Sequence, residues 1–162
     1  MFALKYDDYP QLSSKCLSLG PAARTAYLAP TVDKVPQGAL VQVGQPRDIN
    51  TIEWFASPDD MCRALAGLAG LRGVAGLGPV ASVLSIDDGE IDLTQADWPT
   101  LWFKGGSEPG VRTLGYLGRD AVGSTNVVVA MTENSRQARP AAATAQRLDV
   151  IAGAFGLLAR TR

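Results

Sequence analysis

The sequence predicts an α+β fold, a three-stranded antiparallel meander with flanking helices. Three observations carry that prediction. Met61, Leu65, Leu68 and Leu71 recur at helical spacing behind a strong helix start. Apolar runs at 100–104, 112–117 and 126–132 follow one another with connections too short for crossover helices. After Pro140, the residues Leu148, Ile151, Phe155 and Leu158 share one helical face, which is expected to pack on the sheet.

The elements follow in order. The chain of 162 residues is long enough for one domain with a real core. Residues 1–50 are the least regular part. A short helix is expected within 13–28, anchored by Leu17 and Tyr27. Residues 31–50 contain two prolines and two glycines and read as a long loop. Residues 51–162 hold the helix, the three strands and the closing helix. Ser57 can cap, Pro58 suits the first helical position, and Asp59 and Asp60 favour the positive end of the dipole. Gly73 is the expected stop. Residues 74–79 are glycine-rich, and 79–86 read as a second short helix. In the third strand, Val127-Val128-Val129-Ala130-Met131 is an unbroken apolar run, as expected for a strand buried on both faces. The connection Ser124-Thr125-Asn126 reads as a turn leading into that strand.

Composition removes several classes of function. The net charge is −1, and Lys and Arg are scattered without a basic stripe, so no nucleic-acid partner is expected. Apolar stretches stop well short of the roughly 18 residues a membrane span needs. Residues 1–10 carry Lys5, Asp7 and Asp8 around no apolar segment, which is not a secretory signal and leaves the chain cytoplasmic as it stands. Cys16 and Cys62 read as two small half-buried hydrophobes. The chain has no histidine, which excludes Ser-His-Asp and Cys-His hydrolases and His-ligated zinc. No tight acidic cluster marks a metal site, and no cofactor is expected. Asp87-Asp88-Gly89-Glu90 reads as a solvated turn.

The most informative motif is Lys104-Gly105-Gly106-Ser107, at the end of the run Leu101-Trp102-Phe103 and before a turn at Glu108-Pro109-Gly110. A cation there can hold an anion. Glycines there let a ligand lie close against the strand backbone. Arg112, on the next strand, is a second candidate anion contact. Arg119 lies further along and is the weaker one.

This order of elements, with a strand ending in Lys-x-Gly, resembles the second half of the penicillin-recognising serine hydrolases, which include the class A β-lactamases. Arg47-Asp48-Ile49-Asn50-Thr51 is similar to the Arg-Asp-Thr-Thr-Thr segment that leaves the omega loop of the class A enzymes. Together the two resemblances cover roughly 47–160. They imply a partial domain of the β-lactamase/transpeptidase-like fold and a β-lactam-like or related acyl substrate. They also imply that Lys104, Gly105, Gly106, Ser107 and Arg112 form the substrate and oxyanion wall. Lys104 would attract the substrate carboxylate, and the Ser107 N–H would be one oxyanion donor, with loss of such a donor costing about 3 kcal/mol. The family activates its serine with lysine, in keeping with a chain that lacks histidine. Its members usually work outside the cytoplasm.

The departures from the family pattern weigh against activity. The only Ser/Thr-x-x-Lys spacing is Thr31 to Lys34, which falls in the expected loop, so no nucleophile is identified. No Ser-Asp-Asn occurs. Gly105 replaces the hydroxyl residue of Lys-Thr-Gly. The first glutamate is Glu53, beyond Arg47-Asp48, so the omega-loop base is absent, and only Asp33 stands near its place. The expectation is a truncated, split or inactive serine-hydrolase homologue, partnered by a missing first half or by self-association through a sheet edge. The alternative is a small non-catalytic binding module that uses that edge.

Overall fold

A computed structural model describes residues 4–5, 9–32, 44–94, 97–138 and 142–161. The chain folds as two compact units. One comprises Met1–Phe55, Glu108–Val111 and Asn134–Ala138; the other comprises Ala56–Ser107, Arg112–Glu133 and Arg139–Arg162.

In the first unit, the region read as one helix holds two, α1 (Gln11–Ser18) and α2 (Pro21–Val32). They part at Leu19, whose backbone is extended, because Pro21 lacks the N–H that a continuous helix would use. Arg24 closes the end of α1, donating from Nε to the Cys16 carbonyl and from Nη2 to the Leu17 carbonyl, each at 2.9 Å. Leu17 and Tyr27 pack against buried Leu4, Cys16 and Ile52, as their spacing suggested. Thr31 belongs to the last turn of α2 rather than to a loop. Lys34 and Asp33 lie outside the described residues.

The second unit carries the α+β core. Helix α3 (Pro58–Gly70) starts where expected. Ser57 Oγ accepts from the Asp60 N–H at 3.1 Å, and Asp60 Oδ2 accepts from the Ser57 N–H at 2.9 Å, a complete capping box. The hydrogen bonds from Ser57 hold the Asp60 carboxyl below its ordinary range. Replacing Ser57 with alanine is expected to lower stability by about 1 kcal/mol, measurable by urea unfolding. The helix stops at Gly70, so Leu71 falls beyond the apolar face and is exposed. Helix α4 (Gly78–Leu84) follows.

The sheet consists of β1 (Thr100–Glu108), β2 (Val111–Arg119) and β3 (Thr125–Glu133), in that spatial order. It is an open antiparallel meander. Helix α5 (Ala142–Arg160) closes the chain. Alternation along the strands assigns the two faces. Leu101 and Phe103 of β1, Leu114 and Tyr116 of β2, and Val128 and Ala130 of β3 share a cluster with Ile151 and Phe155 of α5. Trp102, Leu117, Val127 and Val129 share the opposite cluster with Leu65 and Leu68 of α3 and with Ala81 and Leu84 of α4. Helices therefore cover both faces of the sheet. The face of α5 read from the sequence is the one that packs: Ile151 and Phe155 are fully buried.

Two strand expectations need correction. β1 runs on through Lys104-Gly105-Gly106-Ser107 to Glu108, so the motif lies within the strand rather than at its end. Glycines weaken a strand by themselves, but pairing with β2 holds these in place. The Val127–Met131 run is half-buried, not buried, because β3 is an edge strand.

Among the described residues, no helix is long and apolar enough to cross a membrane. No group of His, Cys, Asp and Glu among them could hold a metal. Cys16 and Cys62 are free thiols, the first buried and the second half-buried, and burial raises the Cys62 pKa.

Candidate functional site

Five residues singled out in the sequence meet at one place. Lys104, Gly105, Gly106, Ser107 and Arg112, with Asp87, Phe103 and Leu114, line a shallow cavity of about 450 Å³. β1 supplies the glycine-bearing wall and β2 supplies the arginine. Arg112 is half-buried, and its Nε is shielded from water without a hydrogen-bond partner among the described residues. A buried donor left in this state is costly and favours an acceptor nearby. Lys104 is exposed, and its Nζ donates to the Gly105 carbonyl.

Gly105 has a local cause. The Phe103 ring leans along the strand beneath it, and a Cβ at position 105 would sit 2.6 Å from Phe103 Cζ. Phe103 is held in turn by Tyr116, with ring centroids 4.8 Å apart. A hydroxyl residue at the middle of the Lys-x-Gly motif therefore cannot enter without displacing that ring. Below the rings, the Tyr116 hydroxyl donates to the Gly89 carbonyl at 3.2 Å. Burial, with smaller contributions from Asp88 and Asp87, pushes the Tyr116 pKa up to about 12, so it stays a neutral donor.

Residues 87–90 form the turn read from the sequence. Asp87 Oδ1 accepts from the Gly89 N–H at 2.8 Å, and Asp88 Oδ1 from the Glu90 N–H at 2.9 Å. Asp120, which the sequence reading passed over, is buried and organises the turn before β3. Its Oδ1 accepts from the Val122 and Ser124 N–H groups, closing a turn at 120–124; Thr125 and Asn126, read as part of the turn, already belong to β3. Arg119 is exposed and donates to the Gly123 carbonyl at 3.2 Å, so it is not part of the cavity lining.

A larger cavity, about 680 Å³, is bounded by α4, the 86–93 segment and the start of β1. Arg72 reaches over the Trp102 ring there, 5.4 Å from its centroid. No local sequence signal marks that cavity, because its lining comes from four separate segments.

Arg47 and Asp48 belong to the first unit. Arg47 Nη1 donates to the Lys5 carbonyl at 2.9 Å, and its guanidinium stacks on the Tyr9 ring at 4.3 Å. Asp48 adopts φ +47°, and its carbonyl accepts from the Thr51 and Ile52 N–H groups, closing a tight turn. Both residues thus have structural work within that unit.

The same unit contains a constellation the sequence did not reveal. Lys5, fully buried, donates from Nζ to Glu53 Oε2 at 2.8 Å and to Glu108 Oε1 at 2.6 Å. Burial, followed by the hydrogen bond shared with Glu53, pushes the Glu108 carboxyl up. Burial also acts to raise Glu53, but hydrogen bonds from Glu108, Lys5 and the Trp54 N–H together outweigh it and hold that carboxyl down. The two carboxyls are thus shifted in opposite directions, Glu108 up and Glu53 down. Glu53, the first glutamate of the chain, is committed to this cluster.

Comparison with known proteins finds no family model that matches this chain and no curated protein that matches it.

Proposed function

We propose that the cavity at β1 and β2 recognises the carboxylate of an acyl or β-lactam-like substrate, as the recognition wall of a serine-hydrolase-like site. The observation that carries this reading is that the Lys104-Gly105-Gly106-Ser107 segment lines one cavity with Arg112, whose Nε has no hydrogen-bond partner among the described residues. A guanidinium beside a glycine-lined strand suits a carboxylate attached to a flat amide or ester body. The nucleophile would be supplied by a separate segment, so this chain would bind without turning over.

The test uses a fluorescent penicillin and its methyl ester. Reversible binding of the free acid is expected, with at least tenfold weaker binding of the ester. Arg112→Ala should weaken the acid by about 10- to 100-fold, in line with loss of a hydrogen bond to a charged group. It should leave the ester unaffected. Equal binding of acid and ester would refute the reading. Covalent labelling of a serine in this chain would refute the claim that it lacks a nucleophile.

A second reading, a non-catalytic binding module, has its own support. Lys104 is exposed and turned to a neighbouring carbonyl rather than into an enclosed cleft. Among the described residues, the sheet also ends in an edge at β3 whose Val127–Met131 run is apolar.

A further inference from the structure

Contacts within the sheet fix its register. A Cβ on Gly115 would lie 3.6 Å from the Lys104 carbonyl oxygen and 3.9 Å from Val129 Cγ2, so 104, 115 and 129 stand side by side. Followed along the antiparallel strands, the same pairing sets Ser107, Arg112 and Thr132 in one row across β1, β2 and β3. Successive side chains of a strand point to opposite faces. This row therefore projects on the face of Phe103, Leu114 and Ala130, and Phe103 and Leu114 line the cavity that Arg112 lines.

Two atoms of that row are buried and unpaired. Arg112 Nε and Thr132 Oγ1 each lack a hydrogen-bond partner among the described residues. Facing residues on neighbouring strands have Cβ atoms about 4.5–5.5 Å apart, so the two orphans belong to adjacent side chains. One is a guanidinium donor, and the other is a hydroxyl that can also donate. A buried polar atom without a partner weighs against folding, and native proteins keep few of them. Two side by side call for one group that satisfies both. A group with two acceptor oxygens on a single atom does so. Asp87 lines the same cavity, and its negative charge favours a singly charged carboxylate over a doubly charged ligand.

We infer that Thr132 is the second arm of the carboxylate site: its hydroxyl and the Arg112 guanidinium take the two oxygens of one ligand carboxylate. Thr132 lies outside the cavity lining itself. A carboxylate seated on Arg112 is about one strand spacing, ~4.8 Å, from β3, a gap that the Thr132 side chain and the second oxygen bridge together. The same hydroxyl is a cost to the unliganded fold, so binding and stability pull in opposite directions at this position. The inference rests on the reading of this cavity as a carboxylate site. It does not depend on what the carboxylate is attached to.

The experiment is urea unfolding of the full chain at neutral pH, in sodium acetate and in sodium chloride of equal ionic strength. A ligand that binds only the folded chain raises the midpoint. Acetate should raise that of the parent chain, and whatever rise remains in Arg112→Gln is the general effect of the salt. The part that Arg112→Gln loses should shrink by a factor of about three or more in Thr132→Val. Thr132→Ser, which keeps the hydroxyl, should retain it. In chloride, the midpoint of Thr132→Val should be no lower than that of the parent, because the hydroxyl it removes has no partner. An acetate response equal in the parent and Thr132→Val, or equal in the parent and Arg112→Gln, would overturn the inference. So would a lower midpoint for Thr132→Val in chloride, since the hydroxyl would then be bonded within the fold, for instance to a buried water. The comparison of penicillin acid and ester stands apart. An acetate response without preference for the penicillin acid would refute the β-lactam reading and leave the two-armed carboxylate site in place.

Discussion

Replacing Lys5 with methionine should lower the unfolding free energy by about 3–5 kcal/mol, the cost of leaving buried carboxylates without their cation. Lys5 is fully buried, and the side chains of Glu53 and Glu108 are only 16% and 9% exposed. The methionine would fill the space of the stem but leave two neighbouring carboxyl groups without their counter-charge. Urea unfolding at neutral pH measures the loss. The pH dependence tests the assignment within the cluster. The folded-state pKa of Glu108 lies above the unfolded value of 4.5, so the unfolded chain releases that proton first as pH rises. Its contribution is intact below pH 4.5 and is lost as pH climbs through the raised folded value. Glu53 shifts the other way, so its contribution is present above 4.5 and is lost as pH falls through its lowered value. Glu108→Gln keeps a donor toward Glu53 and an acceptor toward Lys5, and it removes the titrating proton. Its stability should be flatter than that of the parent chain on the alkaline side. An unchanged slope would mean that Glu108 is not a carboxyl whose pKa is raised by folding.

Phe155→Ala is expected to cost about 3–5 kcal/mol, from lost burial together with the cavity left behind. Phe155 is fully buried on α5 and meets Trp98 edge-on, with ring centroids 4.9 Å apart. Gly118 gives the pair its room, because a Cβ there would lie 2.7 Å from both Phe155 Cε1 and Trp98 Cε3. Gly118→Ala should therefore also destabilise, and by less when combined with Phe155→Ala, since removing that ring relieves one of the two clashes and leaves Trp98 room to shift. A double-mutant cycle in thermal or urea unfolding reads this coupling. Simple additivity would mean that the two positions do not compete for the same space.

What could be read from the sequence followed its local periodicity. The Ser57-Pro58-Asp59-Asp60 start and the Leu148-Ile151-Phe155-Leu158 face are short-range patterns, and the structure realises both. The three strands were legible because apolar runs and tight turns lie close together in the chain. The extension of β1 through Gly105-Gly106 was not, because two glycines read as a break until the pairing with β2 is known. The half-burial of β3 depends on which strand ends at an edge, a property of topology rather than of composition. The joining of Lys5 to Glu53 and Glu108 spans 48 and 103 residues of sequence, beyond any local signal. That Lys104–Ser107 and Arg112 line one cavity was within reach of the sequence, since the first four are contiguous and Arg112 sits just across the hairpin turn.

The hairpin that carries the candidate site also limits how this protein can be dissected. Its arms lie in one unit, while its tip, Glu108–Val111, lies in the other. The backbone passes from unit to unit at 55–56, 107–108, 111–112, 133–134 and 138–139, so neither unit is a contiguous stretch of chain. A deletion ending near residue 55 would not free an intact second half. It would remove Lys5 and Glu53 and strand Glu108 at the end of the strand that holds Lys104. Gene fragments cut at that boundary are therefore poor proxies for the site, whereas point changes in the full chain keep its supports in place.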